Sequence, residues 1–127
     1  MITITFVVIA ALGNAAQHTD CENAQTQLEM NQCAGTKRVA AEKRLNEVYS
    51  QYRRRLALAQ KKKLTDAQEA WLAFRASWCT FVASGVEGGS VQPLVVSGCL
   101  RELTEERIKQ LEKVSSCKEG DASCPSP

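Results

Sequence analysis

The sequence has few of the residues that commonly perform catalysis or hold metal ions. Its 127 residues include one histidine, His18, which lies beside an apolar leader. The rest of the chain therefore has no imidazole to serve as the base of a Ser–His or Cys–His pair. Six cysteines are present, but none is arranged as C-x-x-C, the spacing typical of structural zinc sites. We expect no catalytic residues, no metal and no cofactor.

Carboxylates are the remaining candidates for acid–base chemistry. Glu102, Glu105 and Glu106 open the last predicted helix, where acidic side chains complement the helix dipole, so a solvated first turn is their simplest role. A hydrolase that used Glu69 or Glu102 would need a deep pocket lined by two acids. The sequence gives no sign of such a pocket, and we expect the protein not to be an enzyme.

Long hydrophobic runs are also missing. The leader MITITFVVIAAL is too short to cross a bilayer, which takes about 20 residues. Small residues in GNAAQ follow it, as in the cleavage zone of a secretory signal. We predict a signal segment at 1–16 and no membrane span in the mature chain. The leader lacks a basic start, so a wrongly assigned first residue and a buried element of a cytosolic protein are the alternatives.

All six cysteines follow the predicted cleavage point. An even number of cysteines in a short chain is typical of an oxidising compartment, so we expect a periplasmic or secreted protein. If the segment around Cys21 folds back along the first predicted helix, it brings Cys21 close to Cys33. Cys79 and Cys99 lie on either side of the glycine-rich segment 84–98, and a bridge between them would fix both ends of that segment. The expected bridges are Cys21–Cys33, Cys79–Cys99 and, in a tail at 115–127, Cys117–Cys124.

Two helix starts are visible in the first half of the chain. Thr26 and Glu29 form the T-x-x-E pattern of a capping box, and the helix that follows is predicted to reach Lys61–Lys63, with a break at Gly35 as the alternative. Thr65, with Gln68 three residues later, predicts the second start. The first helix carries one apolar stripe at helical spacing: Leu45, Val48, Tyr49, Tyr52, Leu56 and Ala59.

The second predicted helix contains the dense segment WLAFRASWC at 71–79. Its apolar residues are spaced to share one helix face, which we predict to be core: Ala67, Trp71, Phe74, Trp78 and Phe81. A link of about two residues would make the first two helices an antiparallel hairpin. A loop at 84–98 with an extended Val-rich end and a third helix at 100–114 complete an all-α fold stapled by disulfides.

Two segments are candidates for binding a partner. Glycines in the loop expose backbone, and a loop pinned at both ends presents side chains at low entropic cost, so the candidate residues are Glu87, Gly88, Gly89 and Ser90. A simple sharp turn is the alternative there. The second segment, 37–63, holds ten Lys or Arg residues against two Glu. It would suit an anionic polymer, although a solvated helix face explains it more simply.

Nucleic acid is not an expected partner, because the basic segment lacks the interleaved aromatic residues that stack on bases. Arg75 lies among the aromatic residues of the second helix. We expect it to stack on a tryptophan or to pair with a carboxylate of the third helix.

Several short motifs together resemble the lysozyme inhibitor LprI-like N-terminal domain family over residues 21–114. They are C-x11-C, LNEVY at 45–49, Q-x2-W-x3-R-x3-C at 68–79, GGS at 88–90 and CL-x2-LT-x2-R at 99–107. Besides the cysteines, the motif residues are Leu45, Asn46, Tyr49, Gln68, Trp71, Arg75, Gly88, Gly89, Ser90, Leu100, Thr104 and Arg107.

The resemblance implies an all-helical envelope domain with Cys21, Cys33, Cys79 and Cys99 at the family's cysteine positions. It also implies a protein-binding function, namely inhibition of lysozyme or binding of another envelope protein. An interaction module that binds an anionic polymer through a basic helix face is the alternative function.

Overall fold

The computed structural model describes residues 20–118 and 120–125. This part of the chain contains α1 (Gln27–Arg54), α2 (Leu58–Val82), a 3₁₀ turn (Ser84–Val86) and α3 (Gln92–Ser115), and it contains no strand. The fold class predicted from sequence, an all-α hairpin with a third helix and disulfides, is confirmed. The predicted signal segment 1–16 and His18 lie outside the described residues.

The core lies mainly between α1 and α3, which form the most extensive contact of the fold. The α1 residues that recur at three- and four-residue steps turn inward against Leu111 of α3 and exclude water from the interface. The main cluster of buried core residues consists of Leu45, Val48, Tyr52, Leu56 and Leu111. Most of the predicted apolar stripe is therefore correct, while Ala59 is exposed on α2.

Helix α2 runs antiparallel to both of its neighbours. Its early residue Thr65 meets Tyr49 near the end of α1, and its late residue Cys79 meets Cys99 near the start of α3. The predicted hairpin is thus present, but the apolar stripe of α1 meets mainly α3, and α2 adds only Leu64 and Trp71 to the same core.

The start of α1 confirms the predicted capping box. The hydroxyl of Thr26 accepts the backbone N–H of Glu29 at 3.2 Å, and the carboxylate of Glu29 accepts the backbone N–H of Thr26 at 2.9 Å. Each side chain thereby satisfies a backbone donor that the helix itself leaves unpaired. The helix continues through Gly35 without the break that we considered.

The predicted end of the first helix is wrong. It ends at Arg54 rather than at Lys61–Lys63, and Ala57 takes an extended backbone before α2 begins. Leu56 explains the bend, because its side chain is buried in the core from this position. Thr65 consequently lies inside α2, where its hydroxyl donates to the carbonyl of Lys61 at 2.8 Å, and it caps no helix.

The predicted core face of α2 is also wrong in most of its members. Trp71 packs against the core, but Phe74, Trp78 and Phe81 are 53%, 45% and 67% exposed, and Ala67 is exposed. The side of α2 that meets α3 carries Gln68, Trp71, Arg75 and Cys79 instead. At 3.6 residues per turn this side lies roughly 100° round the helix from the exposed aromatic residues.

The third helix begins earlier than predicted, at Gln92 rather than at Leu100. The Val-rich segment is therefore helical and not extended. Pro93 allows this because it lies in the first turn of α3, where a backbone N–H has no helical partner and the fixed φ of proline suits the helix.

All three expected disulfides are present. The Cα atoms are 5.5 Å apart in Cys21–Cys33, 5.6 Å in Cys79–Cys99 and 5.7 Å in Cys117–Cys124. The first bridge fixes the short segment before Thr26 to α1, the second ties the end of α2 to α3, and the third closes the tail. No described helix is both long enough and apolar enough to cross a membrane.

Candidate protein-binding surface

The loop that sequence analysis selected, Glu87–Ser90, is exposed throughout. Gly88 has φ +76°, a left-handed backbone that a side chain would strain. Its N–H donates to the side-chain oxygen of Gln92 at 2.9 Å, and the side-chain amide of Asn31 donates to the carbonyl of Ser90 at 2.9 Å. The loop is therefore held by α1 and α3 as well as by the nearby Cys79–Cys99 bridge.

An exposed aromatic ridge, defined here as Phe74, Trp78 and Phe81, leads along α2 towards this loop. The rings of Phe74 and Trp78 lie 6.2 Å apart and nearly parallel, and those of Trp78 and Phe81 lie 5.7 Å apart and tilted. Each ring thus contacts the next while much of its surface stays in water. Contiguous exposed apolar surface of this kind commonly marks a site of protein interaction.

A groove of about 440 Å³ lies beside the ridge, between α2 and α3. Glu102 and Glu106, one helical turn apart on α3, bring two carboxylates to it. We call it the acidic groove; its lining residues are Trp78, Val82, Leu94, Val95, Gly98, Cys99, Glu102, Leu103 and Glu106. Among the described residues, no ion pair or side-chain hydrogen bond engages either of these glutamates. The groove thus combines apolar walls with uncompensated negative charge.

The side of α2 that faces α3 has a different role. The Arg75 guanidinium lies 5.1 Å from the ring centre of Trp71, and the Arg107 guanidinium of α3 lies 5.6 Å from it. Arg107 also donates from Nε to the side-chain oxygen of the buried Gln68 at 3.0 Å. Burial lowers the pKa of Arg107 from its usual value, although a guanidinium stays charged at physiological pH. These contacts attach α2 to α3.

Arg75 joins all three helices. Its Nη1 donates to the hydroxyl of Thr104 at 2.8 Å and lies 3.4 Å from a carboxylate oxygen of Glu42. Thr104 is fully buried and donates in turn to the carbonyl of Leu100 at 2.6 Å. The predicted stacking on a tryptophan is confirmed, but the carboxylate partner belongs to α1 and not to the third helix.

The family motif residues therefore divide by position. Gln68, Trp71, Arg75, Thr104 and Arg107 form the interhelical network just described, whereas the GGS segment lies at the surface. Leu45 is core, Tyr49 bonds to Thr65 across the hairpin at 3.0 Å, and Asn46 is exposed. Most of the motif residues therefore lie at contacts between the helices and not at the exposed surface.

The basic segment 37–63 does not form a single helix face, because the bend at Arg55–Ala57 divides it between α1 and α2. Five of its ten cations are engaged within the chain. The pairs are Arg38–Glu42, Arg44–Glu112, Arg53–Thr65, Arg55–Ser115 carbonyl and Lys62–Asp66.

Within the described ranges, no group of three or more His, Cys, Asp or Glu residues is arranged to hold a metal ion. Glu69 is exposed on α2, and Glu105 lies 3.9 Å from Arg101 on the surface of α3. Neither of these two glutamates lines the acidic groove, to which Glu102 and Glu106 contribute.

These features define a class of protein: a small three-helix domain stapled by disulfides, with an aromatic ridge and an acidic groove open to solvent. The family model Lysozyme inhibitor LprI matches residues 19–111. The chain therefore belongs to the LprI family. An uncharacterized protein of Rhizobium meliloti (strain 1021) is 32% identical, with 86% of this chain and 88% of the relative covered. The search of solved structures gave no match.

Sequence reasoning missed the surface roles of Phe74, Trp78 and Phe81 and the connecting role of Glu42. One signal for the ridge was present in the pattern. The family motif Q-x2-W-x3-R-x3-C has its own helical spacing, which places Gln68, Trp71, Arg75 and Cys79 on one side of α2. Two sides of α2 therefore have a helical spacing that fits a buried face, and the prediction from sequence took the more hydrophobic side as the core.

Proposed function

We propose that this protein is a secreted or periplasmic inhibitor of lysozyme and that it presents the loop Ser84–Ser90 to the enzyme. Membership of the LprI family supports the target. The three disulfides support the location, since such bridges persist in oxidising compartments and are rare in the cytosol.

The observation that carries this proposal is the restraint of an exposed loop. Glu87–Ser90 is open to solvent, yet it is bonded to Asn31 of α1 and to Gln92 of α3 and follows a helix end tied by Cys79–Cys99. A loop already held in one conformation loses little entropy when it binds, which favours affinity. Glu87 is the residue of the loop that can attract a basic enzyme.

The test is inhibition of cell-wall lysis by the purified, oxidised protein against several classes of lysozyme. We expect inhibition of at least one class, and we expect reduction of the disulfides to abolish it. Glu87→Gln should weaken inhibition by about tenfold, the effect of one lost charged contact. Glu47→Gln is the matched control, because Glu47 is an exposed glutamate of α1. Failure to inhibit any class would refute the proposal.

The alternative function, binding of an anionic polymer, has weaker structural support. Half of the basic side chains of 37–63 are engaged within the chain, and the remainder is spread over two helices on either side of a bend. No described feature joins them into a continuous groove along which a polymer backbone would lie. We therefore favour the inhibitor.

A further inference from the structure

We propose that the acidic groove binds a lysine or arginine side chain of the target enzyme. Trp78 would supply the aromatic wall, and Glu102 and Glu106 would supply the opposing charge. The identity of the partner rests on the proposed function, whereas the chemistry of the groove does not. The binding surface then extends beyond the loop to the solvent-facing parts of α2 and α3.

The size and lining of the groove fit a long cationic side chain. Its volume of about 440 Å³ lies at the small end of the range for ligand clefts. Val82, Leu94 and Leu103 offer apolar surface for the methylene stem, and the two carboxylates are available for the charged head. Lysine and arginine side chains commonly bury the stem in this way and keep the head among polar groups.

The charge of the groove points to a cation. Glu102 and Glu106 are four residues apart on one helix, an arrangement in which two like charges disfavour each other. No lysine or arginine lines the groove. Arg101, their neighbour in sequence, lies 3.9 Å from Glu105 instead. A cation from a partner would relieve the repulsion between the two carboxylates, which an apolar or anionic group would not do.

The same protein already holds a guanidinium with these components. Arg75 lies over the ring of Trp71 and beside the carboxylate of Glu42, at 5.1 Å from the ring centre and 3.4 Å between Nη1 and Oε1. In the acidic groove, Trp78 again provides an indole and Glu102 and Glu106 again provide carboxylates, but the chain places no arginine between them. The internal site is filled by the chain, and the external one is available to a partner.

The other residues of the aromatic ridge, Phe74 and Phe81, lie next to the proposed contact in the groove. Phe74 and Phe81 contact the ring of Trp78 from either side, at 6.2 Å and 5.7 Å between ring centres. A partner that lies on the ridge would cover these rings and exclude water from the ion pair in the groove. A few tryptophan, tyrosine and arginine side chains surrounded by such contacts account for much of the affinity at protein interfaces.

The first experiment uses two groove variants and a matched control in binding and inhibition assays with a lysozyme that the wild type inhibits. Glu102→Gln with Glu106→Gln should weaken binding by about 10- to 100-fold at low salt, with a smaller loss at high salt. Trp78→Ala should weaken it by about 30-fold. Glu47→Gln with Glu69→Gln removes the same charge from exposed sites outside the groove and should change binding by less than about threefold.

The second experiment does not require a lysozyme. The tripeptide acetyl-Gly-Arg-Gly-amide is titrated into the full chain, and the indole N–H signals of the two tryptophans are followed by NMR, with Trp78→Phe to assign them. We expect the Trp78 signal to shift and the Trp71 signal to stay. The same peptide with citrulline, which has the shape of arginine without its charge, should shift neither signal.

The outcomes separate this inference from the proposed function. If the wild type inhibits a lysozyme and the groove variants inhibit it equally well, the groove proposal is overturned and the inhibitor proposal stands. If no lysozyme is inhibited but the Trp78 indole signal shifts with the arginine peptide alone, the groove proposal is supported and lysozyme is refuted as the target. Equal shifts of the Trp78 signal with both peptides, or no shift with either, overturn the groove proposal. A wild-type dimer that Trp78→Ala dissociates also overturns it, because a second copy would then cover the ridge.

Discussion

Helices α1 and α2 have similar lengths, 28 and 25 residues, but they use their side chains differently. The first buries Leu45, Val48 and Tyr52 against α3, whereas the second buries only Gln68 and Cys79 and exposes most of its aromatic residues. Hydrophobic burial therefore holds α1 to α3, while cation–aromatic contacts, hydrogen bonds and a disulfide hold α2. The comparison shows that the more hydrophobic of the two helices contributes less to the core.

The mode of attachment explains how α2 can carry an exposed ridge. Arginine, glutamine and threonine make directional contacts that fix the rotation of a helix about its axis, as the contacts of Arg75 and Arg107 do here. With its rotation fixed in this way, α2 keeps Phe74 and Phe81 in solvent even though both are strongly hydrophobic. A helix held by hydrophobic contact alone would tend to turn that face inward.

The two tryptophans of α2 test this comparison with the largest expected effect. Trp71→Ala should lower the free energy of unfolding by about 2 to 3 kcal/mol, since the ring packs against the core and lies beside two guanidinium groups. Trp78→Ala should lower it by less than about 1 kcal/mol, because the side chain is largely at the surface. Urea unfolding of the oxidised proteins measures both. Equal losses would show that the ridge belongs to the core.

Two arginines give the next test, of how α2 is attached. Arg75→Met should cost about 2 kcal/mol, because it removes a charged hydrogen bond to the buried Thr104 and leaves Glu42 without this partner. Arg101→Met is the control: its ion pair with Glu105, at 3.9 Å on the surface, should contribute less than about 0.5 kcal/mol. The same urea titrations apply. An Arg75 variant as stable as the Arg101 variant would mean that the network does not hold α2.

The sequence was sufficient for the features that depend on local chemistry. The T-x-x-E box gave the N-cap of α1 at Thr26, and the spacing of Leu45, Val48 and Tyr52 gave its buried side. The disulfides join cysteines 7 to 20 residues apart, and the segments predicted between them already indicated how they could meet. Each of these signals could be interpreted without knowing how the three helices pack. The resemblance to the family was likewise carried by short motifs.

The errors arose where contacts between distant residues decide the structure. The bend after Arg54 contains neither glycine nor proline, and it exists because Leu56 enters a core that α3 completes. The rotation of α2 depends on Thr104 and Arg107, at least 29 residues away from the α2 side chains that they bond. The acidic groove combines Trp78 with Glu102 and Glu106, which only the packing of the helices brings together.

The starts of the two helices extend the comparison to a smaller effect. Helix α1 begins with a capping box, whereas α2 begins at Leu58, after an N-cap residue, Ala57, that makes no side-chain hydrogen bond, and has no acid in its first turn. The backbone N–H groups of Thr26 and Gln25 lower the pKa of Glu29 below the usual glutamate value of 4.5. A group whose pKa is lowered by folding stabilises the fold above its usual pKa, and that contribution is lost as the pH falls through the lowered value.

Glu29→Gln isolates this contribution, since glutamine keeps an acceptor for the capping box but does not titrate. Between pH 6 and pH 3 the wild type should lose more stability than the variant, with the difference growing as the pH falls below about 4.5. Urea midpoints at each pH measure it. Glu69→Gln on α2 serves as the control for removing an exposed carboxylate that belongs to no capping box. Parallel curves for Glu29→Gln and the wild type would show that α1 begins, like α2, without help from a charged cap.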